Sequence, residues 1–255
     1  MRASPCIEWI FAEEHADIAD RVRAVKAAGL ELAEFHLWRD KPIDAIVSAL
    51  EESGVRLSGI CVDPRRSIVD PAQLGEFLDA VSDSLVTAKK LGSPPMIIAS
   101  GFNREGVSPQ EHFDAAVSAL KQAAALAETA GVMLVLEPLN DRIDHPGMYL
   151  VSTTLGLDLV AAVNSPNLRL LYDVYHSTVM GEDMEEVLGD RIHLIHHVQV
   201  ADMPRRNEPG TGEVDWAAKI GLLRRLGYSG DIGLECRPSL PGLESVELSR
   251  RTLGI

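Results

Sequence analysis

Four polar side chains stand where four apolar runs in the second half of the chain end, and their types suit divalent-metal chemistry. They are Glu137, Asp173, Gln199 and Glu235, separated by 36, 26 and 36 residues. Three carboxylates brought together repel one another unless a cation lies between them. Oxygen ligands of this kind favour Mg²⁺ or Mn²⁺, with Co²⁺ also acceptable, over a structural zinc site. A lone carboxylate after a strand commonly only caps the next helix, so the signal is its repetition over successive runs.

Short apolar runs alternate with longer helical patterns along the whole chain, as in stacked strand–helix units. The predicted strands are Cys6–Phe11, Leu32–Leu37, Val55–Val62, Met96–Ala99, Val132–Leu136, Leu168–Tyr172, Ile192–Val200 and Ile232–Cys236. The predicted helices are Ala16–Ala28, Ile43–Ser53, Pro71–Leu91, Pro109–Ala130, Ser152–Val163, Asp183–Leu188, Asp215–Leu226 and Leu243–Thr252. Eight such units in 255 residues average about 32 residues each, which predicts a single-domain (β/α)8 TIM barrel over residues 1–255.

A barrel brings the carboxyl ends of its strands to one rim, where active sites lie, so the four polar residues are expected to converge there. The alternative is a doubly wound open sheet. No glycine-rich phosphate or dinucleotide fingerprint follows the first apolar run, which weakens that alternative.

Composition and charge exclude several classes of protein. The chain has 24 Lys and Arg against 38 Asp and Glu, a formal charge of −14, which disfavours nucleic acid and anionic membranes as partners. No apolar run approaches the length of a transmembrane helix, and no signal peptide is visible before Glu8. Three widely spaced cysteines, Cys6, Cys61 and Cys236, fit reduced core thiols, so we expect a cytoplasmic protein.

Four segments resemble the hydroxypyruvate isomerase family, within the xylose-isomerase-like (AP endonuclease family 2) TIM barrels. They are Leu136–Asn140 (LEPLN), Tyr172–His176 (YDVYH), His197–Asp202 (HVQVAD) and Glu208–Trp216 (EPGTGEVDW). The likeness is strongest from residue 132 to 237 and fainter, though colinear, before it. Ketose 3-epimerases of the same superfamily usually have a histidine where Gln199 stands, so Gln199 favours the hydroxypyruvate isomerase branch.

The resemblance implies a metal-dependent isomerase of a small hydroxy-keto acid or sugar, of the type that converts hydroxypyruvate to tartronate semialdehyde. Proton transfer through a metal-stabilised enediolate moves the carbonyl to the neighbouring carbon. The implied metal ligands are Glu137, Asp173, Gln199 and Glu235. The same resemblance implies that Glu137 and Glu235 move the protons, that His176 lies beside a substrate oxygen and that Arg205 contacts the substrate.

Other candidate residues rest on position alone. Glu34 follows the second predicted strand, and His197 shares one side of a strand with Gln199, so both are candidates for substrate binding. Buried residues that only support their neighbours inside the barrel would show the same pattern. Trp9 and Trp38, together with neighbouring Phe11 and His36, are candidates for an apolar wall over a small substrate or for ordinary packing of the rim.

The first predicted strand departs from the family pattern, because Cys6–Trp9 stands where an Asn-Leu-Ser-like stretch is usual. This leaves the substrate open between a hydroxy-keto acid and a keto-sugar. The alternatives to a hydroxypyruvate isomerase are a ketose 3-epimerase or other keto-sugar isomerase, a related DNA-repair nuclease and a barrel that binds a sugar without catalysis. The nuclease would need several zinc-binding histidines and a basic face. The resemblance also favours a homodimer or higher homo-oligomer.

Overall fold

A computed structural model describes residues 1–255, and its eight parallel strands form a barrel. The strands are β1 (Ala3–Pro5), β2 (Leu32–Glu34), β3 (Arg56–Cys61), β4 (Met96–Ile98), β5 (Leu134–Leu136), β6 (Leu168–Asp173), β7 (Ile195–Val200) and β8 (Ile232–Leu234). Each strand pairs with its neighbours in the sequence, and β1 pairs with β8 through Ser4 and Gly233. An isolated bridge between Cys6 and Glu34 joins β1 to β2. The TIM-barrel prediction is therefore confirmed, and the doubly wound alternative is wrong.

Helices follow the strands and form the outer layer of the barrel. They are α1 (Ile18–Ala27), α2 (Ile43–Ser53), α3 (Leu74–Lys90), α4 (Pro109–Ala130), α5 (Thr153–Val163), α6 (Val174–Met180), α7 (Met184–Leu188), α8 (Trp216–Leu226) and α9 (Gly242–Leu253). Short 3₁₀ turns precede α3 at Pro71–Gln73 and β7 at Gly189–Leu194. None of these helices is both long and apolar enough to cross a membrane.

Local sequence signals set the ends of α4. Ser108 accepts a hydrogen bond from the backbone of Glu111, whose side chain accepts in return from the backbone of Ser108, and Pro109 occupies the first turn. Gly131 ends the helix in the left-handed conformation, with φ 66°. These signals are short-range, so the sequence predicted both ends of α4 correctly.

The two faces of the strands are buried against different neighbours. A core of 65 buried residues fills the space between strands and helices. A separate cluster of Cys61, Ile97, Val135 and Leu171 lies on β3 to β6. Ser4, Glu34, His197 and Gln199 are buried on β1, β2 and β7. The barrel interior is thus apolar on one side and polar on the other.

The predicted elements differ from the structure mainly at two strands and one helix. The first strand is Ala3–Pro5, because Ile7, Ile10 and Phe11 are buried from turns at residues 7–14, and their spacing of three and one differs from the alternation of a strand. The seventh strand begins at Ile195 because residues 192–194 lie in the 3₁₀ turn. Helix α6, which follows Asp173 directly, was not among the predicted helices.

The three cysteines are free and buried, as predicted. Cys6 lies just after β1, Cys61 ends β3 and Cys236 follows β8. Burial raises the pKa of each thiol above its ordinary value, so none is a reactive thiolate.

Candidate active site

The carboxyl ends of β5, β6 and β8 deliver three carboxylates to one point. Glu137 follows β5, Asp173 ends β6 and Glu235 follows β8. One ligand atom from each of these, together with a ring nitrogen of His176, lies within 4.8 Å of every other. We call Glu137, Asp173 and Glu235 the acid cluster. All three side chains are buried, with at most 8% of any residue exposed.

Gln199 reaches the same region from β7. It pairs in register with Asp173 on β6, so the two side chains leave the sheet on the same side. Its Nε2 donates to Glu34 Oε1 at 2.8 Å, while its Oε1 is buried and has no hydrogen-bond partner. The structure therefore groups three of the four predicted metal ligands, and Gln199 lies on the strand next to Asp173, in register with it.

Burial and mutual repulsion set the charges of the acid cluster. Burial, Glu235 and Asp173 raise the pKa of Glu137 well above its usual value. Burial and the charge of Glu235 raise the pKa of Asp173 to about 7. Burial opposes ionisation of Glu235 as well, but Arg206 and the hydrogen bond from His36 outweigh it and lower its pKa. Only one of the three acids is thus readily ionised by the protein alone.

Arg206 is the cation that supports Glu235. Its Nη2 donates to Glu235 Oε2 at 2.6 Å and lies 3.7 Å from Asp173 Oδ2. The guanidinium lies between the rings of Trp9 and Tyr175, 5.4 and 4.9 Å from their centroids. The other carboxylate oxygen of Glu235, Oε1, lies 2.8 Å from His36 Nε2. Both oxygens of Glu235 therefore have a protein partner.

His176 lies on α6 and faces the cluster in its neutral form. Burial and the positive charge of Arg206 lower its pKa to about 3. Its Nδ1 accepts from the backbone N–H of Asn140 at 3.2 Å, which places the ring proton on Nε2. That nitrogen lies 3.5 Å from Asp173 Oδ2 and 4.0 Å from Glu137 Oε1. Asp173 in turn caps α6 through Oδ1, which accepts from the backbone of Tyr175 at 2.7 Å.

Two buried oxygen atoms test whether the residues present fit a divalent cation. Asp173 Oδ2 and Gln199 Oε1 both lack a hydrogen-bond partner. Leaving a buried acceptor unpaired costs about 1–3 kcal/mol, so buried polar atoms without partners are rare unless a ligand completes them. With the oxygens of Glu137 and Glu235 they form a hard, oxygen-rich donor set. The residues therefore fit a divalent metal ion such as Mg²⁺ or Mn²⁺.

Glu34 and His197 lie next to Gln199 and do not line the cavity that opens above the acid cluster. Glu34 Oε2 is 2.8 Å from His197 Nε2 and accepts from Ser58 Oγ at 3.2 Å. We call Glu34, Ser58, His197 and Gln199 the Glu34 network. Gly233 makes room for it, because a Cβ there would lie 2.6 Å from Glu34 Oε1 and 2.8 Å from His197 Nε2. Both residues lie outside the lining of that cavity, and their contact with substrate stays a prediction.

A cavity of about 240 Å³ opens above the acid cluster, and we call it the main cavity because Glu137 and Glu235 line it. Its polar or aromatic lining residues are Trp9, His36, Arg65, Glu137, Asp144, His145, His176, Arg206, Glu235 and Arg237. The rest of the lining is small or apolar: Cys61, Ile97, Ala99, Leu139 and Met148. The size and the charged lining suit a small polar ligand.

Trp9 contributes a wall of this cavity, where its ring meets His36 edge-on at 4.9 Å. Trp38 does not line the cavity, since its Nε1 donates to Ser84 Oγ at 3.0 Å in the barrel wall. Phe11 is also elsewhere, buried where Gly242 begins α9. Of the four predicted wall residues, the structure brings only Trp9 and His36 to the site.

Arg205 and Arg206 have opposite placements. Arg205 is exposed and lines a separate loop cavity with Met203 and Glu213, whereas Arg206 is 6% exposed and lines the main cavity. The backbone of Arg206 adopts φ 59°, a conformation that is unusual for a residue other than glycine. This local turn decides which of two adjacent arginines enters the barrel, and the sequence contained no signal that distinguishes them.

Sequence reasoning also missed Arg65, Asp144 and His145 as lining residues. Arg65 lies beyond the end of β3, while Asp144 and His145 belong to the segment between β5 and α5. Their position in loops after strands is the signal that could have identified them, because such loops form the rim of a barrel.

The chain is similar to proteins of one family. The family model described as xylose isomerase-like TIM barrel matches residues 22–252. A putative hydroxypyruvate isomerase of Streptomyces coelicolor is 32% identical over 240 residues, which cover 87% of this chain and 86% of the relative. The hydroxypyruvate isomerase of Escherichia coli is 31% identical over 168 residues, 66% of this chain and 65% of the relative.

A 2-oxo-tetronate isomerase of Cupriavidus necator is 27% identical and covers 88% of both chains. Among solved structures, one described as an AP endonuclease, family 2, from Brucella melitensis superimposes with a TM-score of 0.88 at 25% identity, covering 96% of each chain. The agreement extends over the whole barrel, including the strands that carry the acid cluster.

Proposed function

Because this chain belongs to the hydroxypyruvate isomerase family within the xylose isomerase-like TIM barrels, we propose that it is a metal-dependent isomerase of a small hydroxy-keto acid. The reaction is of the type that converts hydroxypyruvate to tartronate semialdehyde. One observation carries the proposal: the acid cluster is buried, its ligand atoms lie within 4.8 Å of one another and of His176, and Asp173 Oδ2 has no hydrogen-bond partner.

The reaction moves a carbonyl between adjacent carbons without net oxidation. In hydroxypyruvate, a proton leaves C3, the C3 hydroxyl proton passes to the oxygen on C2, and a proton is added at C2. C3 becomes an aldehyde and C2 a secondary alcohol, so substrate and product have the same atoms. Two proton-transfer groups and stabilisation of negative charge on oxygen are what such a step needs.

Glu137, Asp173, Gln199 and Glu235 would hold the metal, whose charge polarises the carbonyl and offsets the negative charge that develops on oxygen. The remaining chemistry falls to side chains of the chain. Arg206 and His36 keep Glu235 ionised, which suits it to take the C3 proton. Glu137 then returns a proton at C2.

Neutral His176 donates its Nε2 proton as a hydrogen bond to a substrate oxygen. Asn140 fixes this tautomer by donating to Nδ1. Arg206, held by two aromatic rings and by Glu235, orients the base and adds positive charge next to the reacting oxygens.

The decisive experiment is an isomerase screen in D₂O with Mn²⁺ and Mg²⁺ added in turn. Hydroxypyruvate and 2-oxo-tetronate are tested beside neutral ketohexoses, and products are identified by NMR. We expect turnover of a keto acid with deuterium at the carbon that receives the proton. Turnover of ketohexoses alone, with inversion at C3, would favour a ketose 3-epimerase. Cleavage of an abasic-site oligonucleotide would favour the nuclease, and failure to bind Mn²⁺ in calorimetry would favour a non-catalytic barrel.

A further inference from the structure

Two arginines of the main cavity, Arg65 and Arg237, have no carboxylate partner for their guanidinium groups, although Arg65 lies beside the Cys61 thiol. Arg206 is different, since Glu235 holds it at 2.6 Å and Asp144 and Asp173 lie 3.7 Å away. An arginine that is already paired with protein carboxylates has little capacity left for a substrate anion. A free guanidinium, by contrast, presents a fork of donors that matches a carboxylate.

Arg65 is the better placed of the two free arginines. Arg237 lies over the ring of Trp9, 5.6 Å from its centroid, which occupies one face of its guanidinium. Arg65 has no such neighbour and lines both the main cavity and an adjoining one of about 420 Å³. Between Arg65 and Glu137 the lining is small and uncharged, formed by Cys61, Ile97 and Ala99.

The adjoining cavity has a basic lining, although the chain as a whole has a charge of −14. Arg65, Arg66 and Arg104 contribute to it, and Asp70 is its one acidic residue. Arg66 is paired with Glu76 at 2.6 Å, and Arg104 lies 3.7 Å from Asp70. Arg65 is therefore the unpaired cation at the boundary between the two cavities.

We propose that Arg65 binds the carboxylate of the substrate and thereby selects acids over neutral sugars. This inference rests on the proposed function, because it takes the substrate carbonyl to lie at the acid cluster and assigns a binding residue to the substrate carboxylate. Ionised Glu235 repels a substrate carboxylate, so a cation at the other end of the ligand favours binding.

The test compares Arg65→Met with Arg56→Met, an exposed arginine at the start of β3, the strand that precedes Arg65. Steady-state kinetics use hydroxypyruvate and its neutral analogue dihydroxyacetone. For Arg65→Met we expect the KM for hydroxypyruvate to rise roughly 10- to 100-fold, because a charge-assisted bidentate contact is lost. The KM for dihydroxyacetone, which has no carboxylate, should change less than about twofold. Arg56→Met should behave as the unmodified protein. An equal loss on both substrates, or no change on hydroxypyruvate, would overturn the assignment.

A binding measurement separates this inference from the proposed function. Calorimetry of the Mn²⁺-loaded protein with glycerate, which cannot isomerise, and with glycerol measures recognition without turnover. Glycerate binding that Arg65→Met weakens at least about tenfold supports Arg65 even if no isomerase activity is found. If the protein isomerises hydroxypyruvate but Arg65→Met binds glycerate as tightly as the unmodified protein, the proposed isomerase activity is supported and the proposed role of Arg65 is wrong.

A second inference comes independently from the Glu34 network. Gln199 has two chemically different ends, and Glu34 Oε1 accepts from Nε2 at 2.8 Å. A carboxylate accepts hydrogen bonds and cannot donate them, so this contact fixes the amide with Oε1 turned away from Glu34. That oxygen is the buried atom without a partner. We infer that Glu34 is a positioning residue that keeps the oxygen of Gln199 available to the metal ion.

The test is the Mn²⁺ affinity of Glu34→Ala and Glu34→Gln, measured by calorimetry at pH 7.5. Glu34→Ala should weaken binding about 10- to 100-fold, as loss of an outer-shell partner does, whereas Glu34→Gln retains an acceptor for Gln199 and should recover most of the affinity. Glu208→Ala is the control, because Glu208 is an equally buried carboxylate that holds Ser239 at 2.8 Å. It should lower the thermal stability without changing the Mn²⁺ affinity. Unchanged affinity in Glu34→Ala would contradict the inference.

Discussion

The acid cluster and the Glu34 network contain equally buried carboxylates with opposite surroundings. Glu34 is 1% exposed and accepts from Gln199 at 2.8 Å and Ser58 at 3.2 Å, with His197 Nε2 at 2.8 Å. Asp173 is 3% exposed, but its Oδ2 has no hydrogen-bond partner and faces two further carboxylates. Burial alone therefore does not mark a functional acid. A functional acid is indicated when a buried carboxylate lacks hydrogen-bond donors, because such a group is stable only when a bound ligand interacts with its free oxygen.

Removing the carboxylate charge of Glu235 should have the largest effect. For Glu235→Gln we expect kcat to fall by about 10²–10⁴-fold, the contribution of a general base, with the circular dichroism spectrum unchanged. Steady-state kinetics on hydroxypyruvate measure the loss. A fully active Glu235→Gln variant would exclude the two-carboxylate mechanism.

The adjacent arginines give the next largest contrast. Arg206→Lys should lower kcat/KM by about 10²-fold, since lysine cannot reproduce the fork that contacts Glu235, while Arg205→Lys should change it less than about twofold. The resemblance to related epimerases had indicated Arg205 as the substrate contact. Equal losses in the two variants would restore that assignment.

The charge of the acid cluster predicts how pH affects the metal-free protein. The pKa of Asp173 is raised to about 7 and that of Glu137 is also raised, so folding favours their protonated forms. This contribution to stability is present at acid pH and is lost as pH rises through about 7. With EDTA, the melting temperature should fall between pH 5.5 and 8. Mn²⁺ at about 100 times its Kd should raise it by roughly 5–10 °C at pH 8 and by less at pH 5.5. A metal effect that is the same at both pH values would contradict this charge assignment.

The smallest effect separates stability from function at a single residue. Asp173→Asn removes a charge from the acid cluster and keeps an acceptor for the α6 cap, so with EDTA at pH 8 we expect the protein to gain about 1 kcal/mol, roughly 2–4 °C in melting temperature. Glu34→Gln should show no such gain, because its donors already satisfy Glu34. Differential scanning calorimetry of the two variants, together with Mn²⁺ titrations, tests the contrast. A lower melting temperature for Asp173→Asn would mean that Asp173 stabilises the fold.

Most of the site could be predicted from strand ends because chemistry in a barrel is tied to topology. Glu137, Asp173 and Glu235 each stand at or just beyond the end of a strand, so alternation of apolar runs with helices was enough to bring them to one rim. Residues in irregular segments could not be placed in this way. Arg65, His145 and Arg206 depend on the course of loops, for which no periodicity exists.

The sequence by itself predicted the barrel and the polar residues at four strand ends, because these depend on repeated local patterns and on spacing along the chain, and its motifs indicated the family. Only the tertiary structure decided which carboxylates remain without donors and which arginine enters the cavity. It showed that Glu34 contacts His197 and Gln199, and that Arg206, unlike Arg205, lines the main cavity. The physical reason is that hydrogen-bond satisfaction in a buried site depends on contacts between residues far apart in sequence, such as Glu34 and Gln199, which are separated by 165 positions.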